Sequence, residues 1–220
     1  MITATPGSWK SPISAQLLAS AGVSLGFVQV VAGEIYWDES RPDEGGRTAV
    51  VSKKQGDLLP APWSAVTRVH EMGGLSWLVC NWRGETGLLF SEKSDQRIYW
   101  KADSADPVAI TPISSTEALA RYSDFLIRGQ EIWCVREISS GQETYRDLIA
   151  ITPAGDIRIL DSTSHFYAHL ALSPNETKLA WISWEHPQMP WDGTQLFVAD
   201  INSAGELEAV HVRAGGLSEA

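Results

Sequence analysis

The chain has 220 residues, of which 44% are hydrophobic and 20% are charged, a composition typical of folded globular proteins and not of disordered ones. Its 17 basic and 27 acidic side chains give a net charge of −10. Nucleic acids and anionic membrane surfaces both require a basic patch, so we expect neither as a partner. No apolar run approaches the roughly 20 residues of a membrane-spanning helix.

The start of the chain lacks the basic and apolar segments of a secretory signal. Cys80 and Cys134 each lie in an apolar run, which favours buried, reduced thiols over a disulfide. The sequence therefore predicts a cytoplasmic protein.

The first predicted element is a helix over about residues 12–21, within an N-terminal segment of residues 1–24. Ser11 is a favourable N-cap, Pro12 suits the first helical position, and Gly22 can end the helix. Apolar residues at three- and four-residue spacing form one face of it: Ile13, Leu17, Leu18 and Ala21.

From Phe27 onward, short apolar or alternating runs are broken by Gly, Pro, Asp and Ser, a pattern typical of all-β proteins. The predicted strands lie near 27–32, 34–38 and 48–52; 75–79, 88–91 and 97–101; 124–127, 131–136, 145–151 and 157–160; and 166–172, 178–183, 195–200 and 208–212. They fall into four sets.

Each set carries an aromatic residue on its second strand: Trp37, Phe90, Trp133 and Trp181. These positions are 53, 43 and 48 residues apart, and four strands per such period are typical of propeller blades, whereas a β-sandwich has no long period. The sequence predicts an all-β fold, a partial β-propeller of about four four-stranded antiparallel blades over residues 25–220. The blades are expected at about 25–60, 66–111, 122–162 and 165–213.

Several segments resemble one family. Leu172-Ser-Pro-Asn-Glu-Thr-Lys-Leu-Ala-Trp181 resembles a hairpin of the N-terminal propeller of the prolyl oligopeptidase family. Residues 182–194 resemble the corresponding segment of its dipeptidyl aminopeptidase and acylaminoacyl peptidase branch. Residues 11–18, 45–48 and 69–74 are similar to the same branch in the same order.

This resemblance implies the non-catalytic propeller portion of a serine aminopeptidase or acylaminoacyl-peptidase-like hydrolase. In that family an α/β-hydrolase domain with a Ser-Asp-His triad follows in the same chain, while the propeller gates access and helps to position short peptides. We expect no cofactor and no metal. Four blades without a triad imply a fragment of a longer enzyme or a shortened gene product. The alternative is a free-standing propeller fragment that acts as a protein-interaction scaffold.

Two tempting motifs are not expected to carry chemistry. Gly22-Val-Ser-Leu-Gly26 satisfies the G-x-S-x-G pattern, but a nucleophile elbow needs a strand before the Ser and a helix after it, and here the predicted order is reversed. His165 and His169 have the spacing of a helical zinc pair, but on a strand four residues span about 13 Å.

The Val69–Gly74 segment and the residue before it carry the first candidate site, Glu71 with Arg68 and His70. The segment leads into an inner strand of the second blade, where a carboxylate could bind the amino terminus of a peptide. The alternative is a structural ion pair between Glu71 and Arg68 or Arg83.

The loop over residues 184–192 is the second candidate, since long loops with aromatic residues and prolines are seldom simple connectors. Its distinctive residues are Trp184, His186, Met189, Trp191 and Asp192. It either packs on its own blade or forms a docking surface for a second domain or a wall of the substrate chamber. Strand order places this loop on the same face as residues 40–47, 69–74 and 139–145.

An incomplete ring leaves one face of the first and of the last blade uncovered. We expect self-association through these open edges, most simply as a two-fold dimer. On the fourth blade, the residues considered for the uncovered face are Leu170, Leu172, Leu179, Trp181 and Phe197.

Overall fold

A computed structural model of the chain describes residues 22–217 without interruption, together with residues 5, 7, 8, 11–15, 17 and 219. Within this described part, sixteen strands form four separate four-stranded antiparallel sheets in a β-propeller arrangement, which confirms the predicted fold class. The predicted helix over residues 12–21 lies largely outside the described residues. Within the described part of the chain, no helix is long and apolar enough to cross a membrane.

Each blade is formed by four consecutive strands. Blade 1 contains β1 (Ser24–Val31), β2 (Glu34–Arg41), β3 (Arg47–Ser52) and β4 (Gly56–Asp57), with a 3-10 turn at Pro42–Glu44. Blade 2 contains β5 (Trp77–Trp82), β6 (Glu85–Ser91), β7 (Ile98–Ala102) and β8 (Val108–Ala109). Blade 3 contains β9 (Leu119–Arg128), β10 (Glu131–Ser140), β11 (Glu143–Ile151) and β12 (Ile157–Asp161). Blade 4 contains β13 (Phe166–Leu172), β14 (Lys178–Trp184), β15 (Gln195–Ile201) and β16 (Leu207–Gly215).

The hydrophobic core is divided among the three interfaces between adjacent blades. Strand β10 shows why: Ile132 and Cys134 pack toward blade 2, whereas Trp133 and Val135 pack toward blade 4. Successive side chains of a strand point to opposite faces, so the part of β10 that lies between two blades, Ile132–Val135, is apolar at every position. Burial on both faces of the strand explains the unbroken apolar run Ile132–Val135 in the sequence.

The aromatic residues that define the repeat are not equally buried. Phe90, Trp133 and Trp181 are at most 1% exposed, because a neighbouring blade covers each of them. Trp37 is only half-buried. It lies opposite Val28 and Val51, on the face of blade 1 that no other described blade covers.

Hydrogen bonds join the inner strands of successive blades. The Gln29 side chain both donates to and accepts from the backbone of Val79, at 2.9 Å each. The Asp124 N–H donates to the Leu75 carbonyl at 2.8 Å, and Asp124 Oδ1 accepts from the His169 N–H at 2.9 Å. These bonds fix the relative position of the four blades where their inner strands meet.

The uncovered face of blade 1 is apolar, with exposed side chains on its inner two strands: Leu25, Val28, Val30 and Ile35. The residues considered for the corresponding face of blade 4 were the wrong ones. Leu179 and Trp181 are buried against blade 3, and Leu170, Leu172 and Phe197 pack on the same cluster. The opposite face of blade 4 carries Ala180, Ile182, Leu196 and Val198, as the cross-strand register shows.

Candidate functional site

One face of the propeller carries all loops between the second and third strands and all connections between blades. In a four-stranded antiparallel blade these two kinds of segment emerge at the same side. We call it the loop face. Its longest segments are residues 58–76, 110–118 and 185–194, which include both candidate sites.

The Arg68–Gly74 segment forms a tight turn. The N–H of Glu71 donates to the Arg68 carbonyl at 3.0 Å, and the N–H of Gly73 donates to the Val69 carbonyl at 2.9 Å. His70 and Glu71 have φ angles of 60° and 59°, a left-handed conformation that residues other than glycine rarely adopt. Each such residue costs on the order of 1 kcal/mol, so the surrounding contacts must hold the turn.

The turn presents the carboxylate of Glu71 to solvent, with its side chain 76% exposed. Oε1 accepts a hydrogen bond from Arg121 Nη1 at 2.5 Å, and this bond lowers the pKa of the Glu71 carboxyl. Among the described residues, nothing donates to Oε2. The predicted ion-pair partners were wrong: Arg83 stacks on Trp82, 4.1 Å from the ring centroid, and Arg68 approaches Arg121 through its carbonyl.

A row of three charged residues crosses blade 3 next to this turn. The register places Glu137 on β10 directly opposite Arg121 on β9 and Arg146 on β11. Glu137 is 1% exposed; it accepts from Arg121 Nη1 at 2.9 Å, from Arg146 Nε at 2.7 Å and from the His70 N–H at 2.8 Å. With Glu71 at one end, the row contains two carboxylates and two guanidinium groups, so its formal charge is zero.

An aromatic cluster continues the row toward blade 4. The guanidinium of Arg146 lies 4.3 Å from the centroid of Phe166, and Phe166 stacks on Trp184 with the centroids 5.0 Å apart. His70 meets both rings edge-on, and His186 meets Phe166 at 4.7 Å. The structure therefore brings the two candidate sites together, with His70 as the point of contact.

The imidazole of His70 is neutral at pH 7. Burial, together with the positive charge of Arg146, lowers the pKa of His70 to about 4. Its Nε2 atom is buried and has no hydrogen-bond partner among the residues described. The ring thus acts in this structure as a packing surface between the Glu71 turn and Trp184.

The loop after β14 is partly packed on its own blade and partly exposed. Trp184 is only 5% exposed, and Asp192 Oδ2 accepts from the Met189 N–H at 3.1 Å, which closes the loop on itself. His186 and Asp192 are exposed, and Trp191 is 65% exposed. The first half of the loop therefore belongs to the aromatic cluster, while the indole ring of Trp191 in the second half is exposed to solvent.

An open cleft of about 1300 Å³ lies on the loop face between blades 1, 2 and 3. Arg68 and Arg121 form part of its wall, so the Glu71 turn lies at its rim. The wall also contains Glu92, a carboxylate 6% exposed that accepts from the N–H groups of Ser64 and Ser94. Burial raises the pKa of the Glu92 carboxyl.

The G-x-S-x-G match at Ser24 and the pair His165 and His169, from which no chemistry was expected, lie in other structural contexts than an active site. Ser24 is the first residue of β1, so a strand follows it. His165 pairs with Glu185, and the N–H of His169 donates to Asp124. Within the described ranges, no three His, Cys, Asp or Glu side chains lie close enough together to hold a metal ion.

Solved structures provide the comparison that decides the family. A puromycin-hydrolysing peptidase of Mycobacterium tuberculosis is 39% identical over 96% of this chain, with a TM-score of 0.84. A puromycin hydrolase is 31% identical over 99% of this chain, with a TM-score of 0.87. A mutant of puromycin hydrolase in complex with PGG gives 31% identity over 96% and a TM-score of 0.86.

This chain is a propeller of the prolyl oligopeptidase family. It spans about a third of the length of these neighbours, between 34% and 36% of each. The propeller also resembles TolB from Acinetobacter baumannii, at 15% identity and a TM-score of 0.55, which shows a shared fold alone. Neither a protein-family profile nor a curated protein matches the chain.

The sequence analysis missed the residues that support Glu71 in this propeller: Arg121, Glu137, Arg146 and Phe166. A signal was present, because once the strands of blade 3 are paired, the register aligns two arginines with one glutamate. Finding it required the register as well as the strands.

Proposed function

We propose that this propeller is the non-catalytic part of a serine aminopeptidase or acylaminoacyl-peptidase-like enzyme. Its loop face would form one wall of the substrate chamber, gate access to a Ser-Asp-His triad on an α/β-hydrolase domain, and help to position short peptides. The similarity to two puromycin-hydrolysing peptidases over nearly the whole chain supports this assignment.

Glu71 is proposed to bind the free amino group of the substrate. The observation that carries this is the geometry of its carboxylate: the backbone is held in a strained turn, one oxygen is bound to Arg121, and the other has no donor among the residues that the structure describes. A charge-assisted hydrogen bond to an ammonium group contributes about 1.5–3 kcal/mol. Arg68 and His70 would assist, Arg68 from the wall of the cleft and His70 by holding the turn against Trp184.

The exposed part of the 184–192 loop is proposed to contact the α/β-hydrolase domain or to close the chamber. Trp191 is a large apolar side chain exposed on the same face as Glu71, and His186 and Asp192 lie beside it in the loop. Exposed apolar residues on one face favour an interface. The alternative, a free-standing scaffold for protein interactions, would use this same surface.

A cytoplasmic location is proposed from the two cysteines. Cys80 and Cys134 are both free thiols, and burial raises the pKa of Cys80 to about 12, which keeps that thiol protonated. Such thiols are typical of a reducing compartment.

The intact mass of the native gene product tests the assignment. We expect a mass well above 24.1 kDa and a G-x-S-x-G sequence between a strand and a helix in the additional part. A native product of 24.1 kDa would favour the scaffold instead.

The role of Glu71 is tested in the complete enzyme with Glu71→Gln. For aminoacyl amides with a free amino group, puromycin among them, KM should rise about tenfold or more while kcat is retained. N-acetylated substrates should be unaffected. Glu143→Gln is the matched control, since Glu143 is also exposed on the loop face and has no ion pair within the described residues. An unchanged kcat/KM for Glu71→Gln would leave only the structural ion pair.

A further inference from the structure

We propose that Glu137 is the positioning residue of the Glu71 site. By binding Arg121, Glu137 keeps this arginine from pairing with Oε2 of Glu71, so that Oε2 stays available to the substrate. This inference rests on the proposed amine-binding role of Glu71. Glu137 itself is 1% exposed and does not reach the ligand.

Arg121 is the shared element. Its Nη1 atom donates to Glu71 Oε1 at 2.5 Å, to Glu137 Oε1 at 2.9 Å and to the Arg68 carbonyl at 3.1 Å. Because Glu137 and the Arg68 carbonyl compete for this atom, the guanidinium makes a single contact with Glu71 instead of the two-bond pairing that arginine and carboxylate prefer. The second Glu71 oxygen therefore remains free for an ammonium group.

Glu137 also holds the turn that carries Glu71. Its Oε2 accepts the His70 N–H at 2.8 Å as well as Arg146 Nε at 2.7 Å. The first bond anchors the left-handed residue that immediately precedes Glu71. The second keeps Arg146 over Phe166, against which His70 packs. One buried carboxylate thus holds both the backbone of the turn and the counter-ion of its side chain.

Removal of the charge at position 137 should therefore close the site. Glutamine retains an oxygen that can accept the His70 N–H, but it attracts Arg121 less strongly. Arg121 is then free to pair with both oxygens of Glu71, and an incoming ammonium group has to displace it. Side chains within one such network couple strongly enough to change affinity about threefold to thirtyfold.

The test measures KM and kcat of the complete enzyme for an aminoacyl p-nitroanilide with a free amino group. Glu137→Gln should raise KM about threefold to thirtyfold with kcat retained. Adding Arg121→Gln to this variant should return KM to within about threefold of wild type, because the competitor for Glu71 is gone. A merely structural role for Glu137 predicts that the second substitution makes KM worse. Arg121→Gln alone, which removes the competitor for Glu71 and keeps the charge of Glu137, should lower KM.

Asp147→Asn is the matched control. Asp147 is a second buried carboxylate of blade 3, 2% exposed, and its partner is Arg136, which is not part of the charged row. This variant should leave KM unchanged even if it lowers the melting temperature of the enzyme.

Three results separate the hypotheses. No change in KM for Glu71→Gln would overturn the amine site and, with it, the role of Glu137. A normal KM for Glu137→Gln in an enzyme that does depend on Glu71 would overturn the role of Glu137 alone. If Glu137→Gln does not fold, a KM for Arg121→Gln as high as that of Glu71→Gln would refute the proposal, since Arg121 would then support binding instead of competing with it.

Discussion

The stability of this propeller should depend on pH in part through one largely buried imidazole, that of His70. The pKa of His70 falls from its ordinary value of 6.5 to about 4 in the folded chain, because the ring is buried and faces Arg146. The unfolded chain therefore binds the proton first as the pH falls. Stability is lost between about pH 6.5 and pH 4 and does not change further through this group below that range.

The magnitude follows from the difference between the two pKa values. Each pKa unit is worth about 1.4 kcal/mol, which gives an upper bound of about 3 kcal/mol for His70. The ring lies close to the loop face, where solvent screens part of the effect, and we expect about 2 kcal/mol. That is a substantial part of the roughly 5–15 kcal/mol by which a domain is stable.

His70→Phe isolates this contribution. Phenylalanine keeps an aromatic ring against Phe166 and Trp184, does not titrate, and removes the unpaired Nε2 atom. Urea unfolding, followed by tryptophan fluorescence at pH 7 and pH 4, should show that wild type loses about 2 kcal/mol more than His70→Phe. His211→Phe, a change at an exposed histidine on β16, should behave as wild type. Equal losses in wild type and His70→Phe would refute the reasoning, because His70 would then titrate alike in the folded and unfolded chains.

Two further predictions concern the chain on its own. The 220-residue chain should not hydrolyse aminoacyl or acylaminoacyl chromogenic substrates, since Ser24 begins a strand, whereas the serine of a nucleophile elbow precedes a helix; turnover that disappears in Ser24→Ala would contradict this. The chain should also self-associate at tens of micromolar through the uncovered faces of blades 1 and 4, and Val30→Glu should weaken this, because Val30 is 65% exposed on that face. Light scattering that shows a monodisperse monomer, without binding of a hydrophobic dye, would exclude such an interface.

Strand periodicity alone was sufficient to predict the propeller. The unbroken apolar run at Ile132–Val135 and the regular recurrence of Trp133 and Trp181 reflect strands buried on both faces, a local pattern that no tertiary information is needed to see. The two-residue outer strands β4 and β8 were not predicted, because a segment of that length carries no periodicity.

Only part of the candidate site could be predicted from the sequence. Glu71, Arg68 and His70 were accessible because they lie in one short segment, whereas the partner of Glu71 is Arg121, 50 residues away. Several arginines are nearer to Glu71 in sequence, Arg68 and Arg83 nearest of all, and charge by itself does not distinguish them from Arg121.

Strand register decides that Arg121 is the ion-pair partner of Glu71. Pairing β9, β10 and β11 places Arg121, Glu137 and Arg146 side by side at the loop face, and a one-residue shift of β10 would turn Glu137 to the opposite face, away from both arginines. Burial then decides the energetics: the buried carboxylate of Glu137 accepts hydrogen bonds from donors on three segments of the chain, which compensate for its loss of contact with water. The residue types were therefore set by the sequence, but which of them meet was decided by the packing of blades and strands.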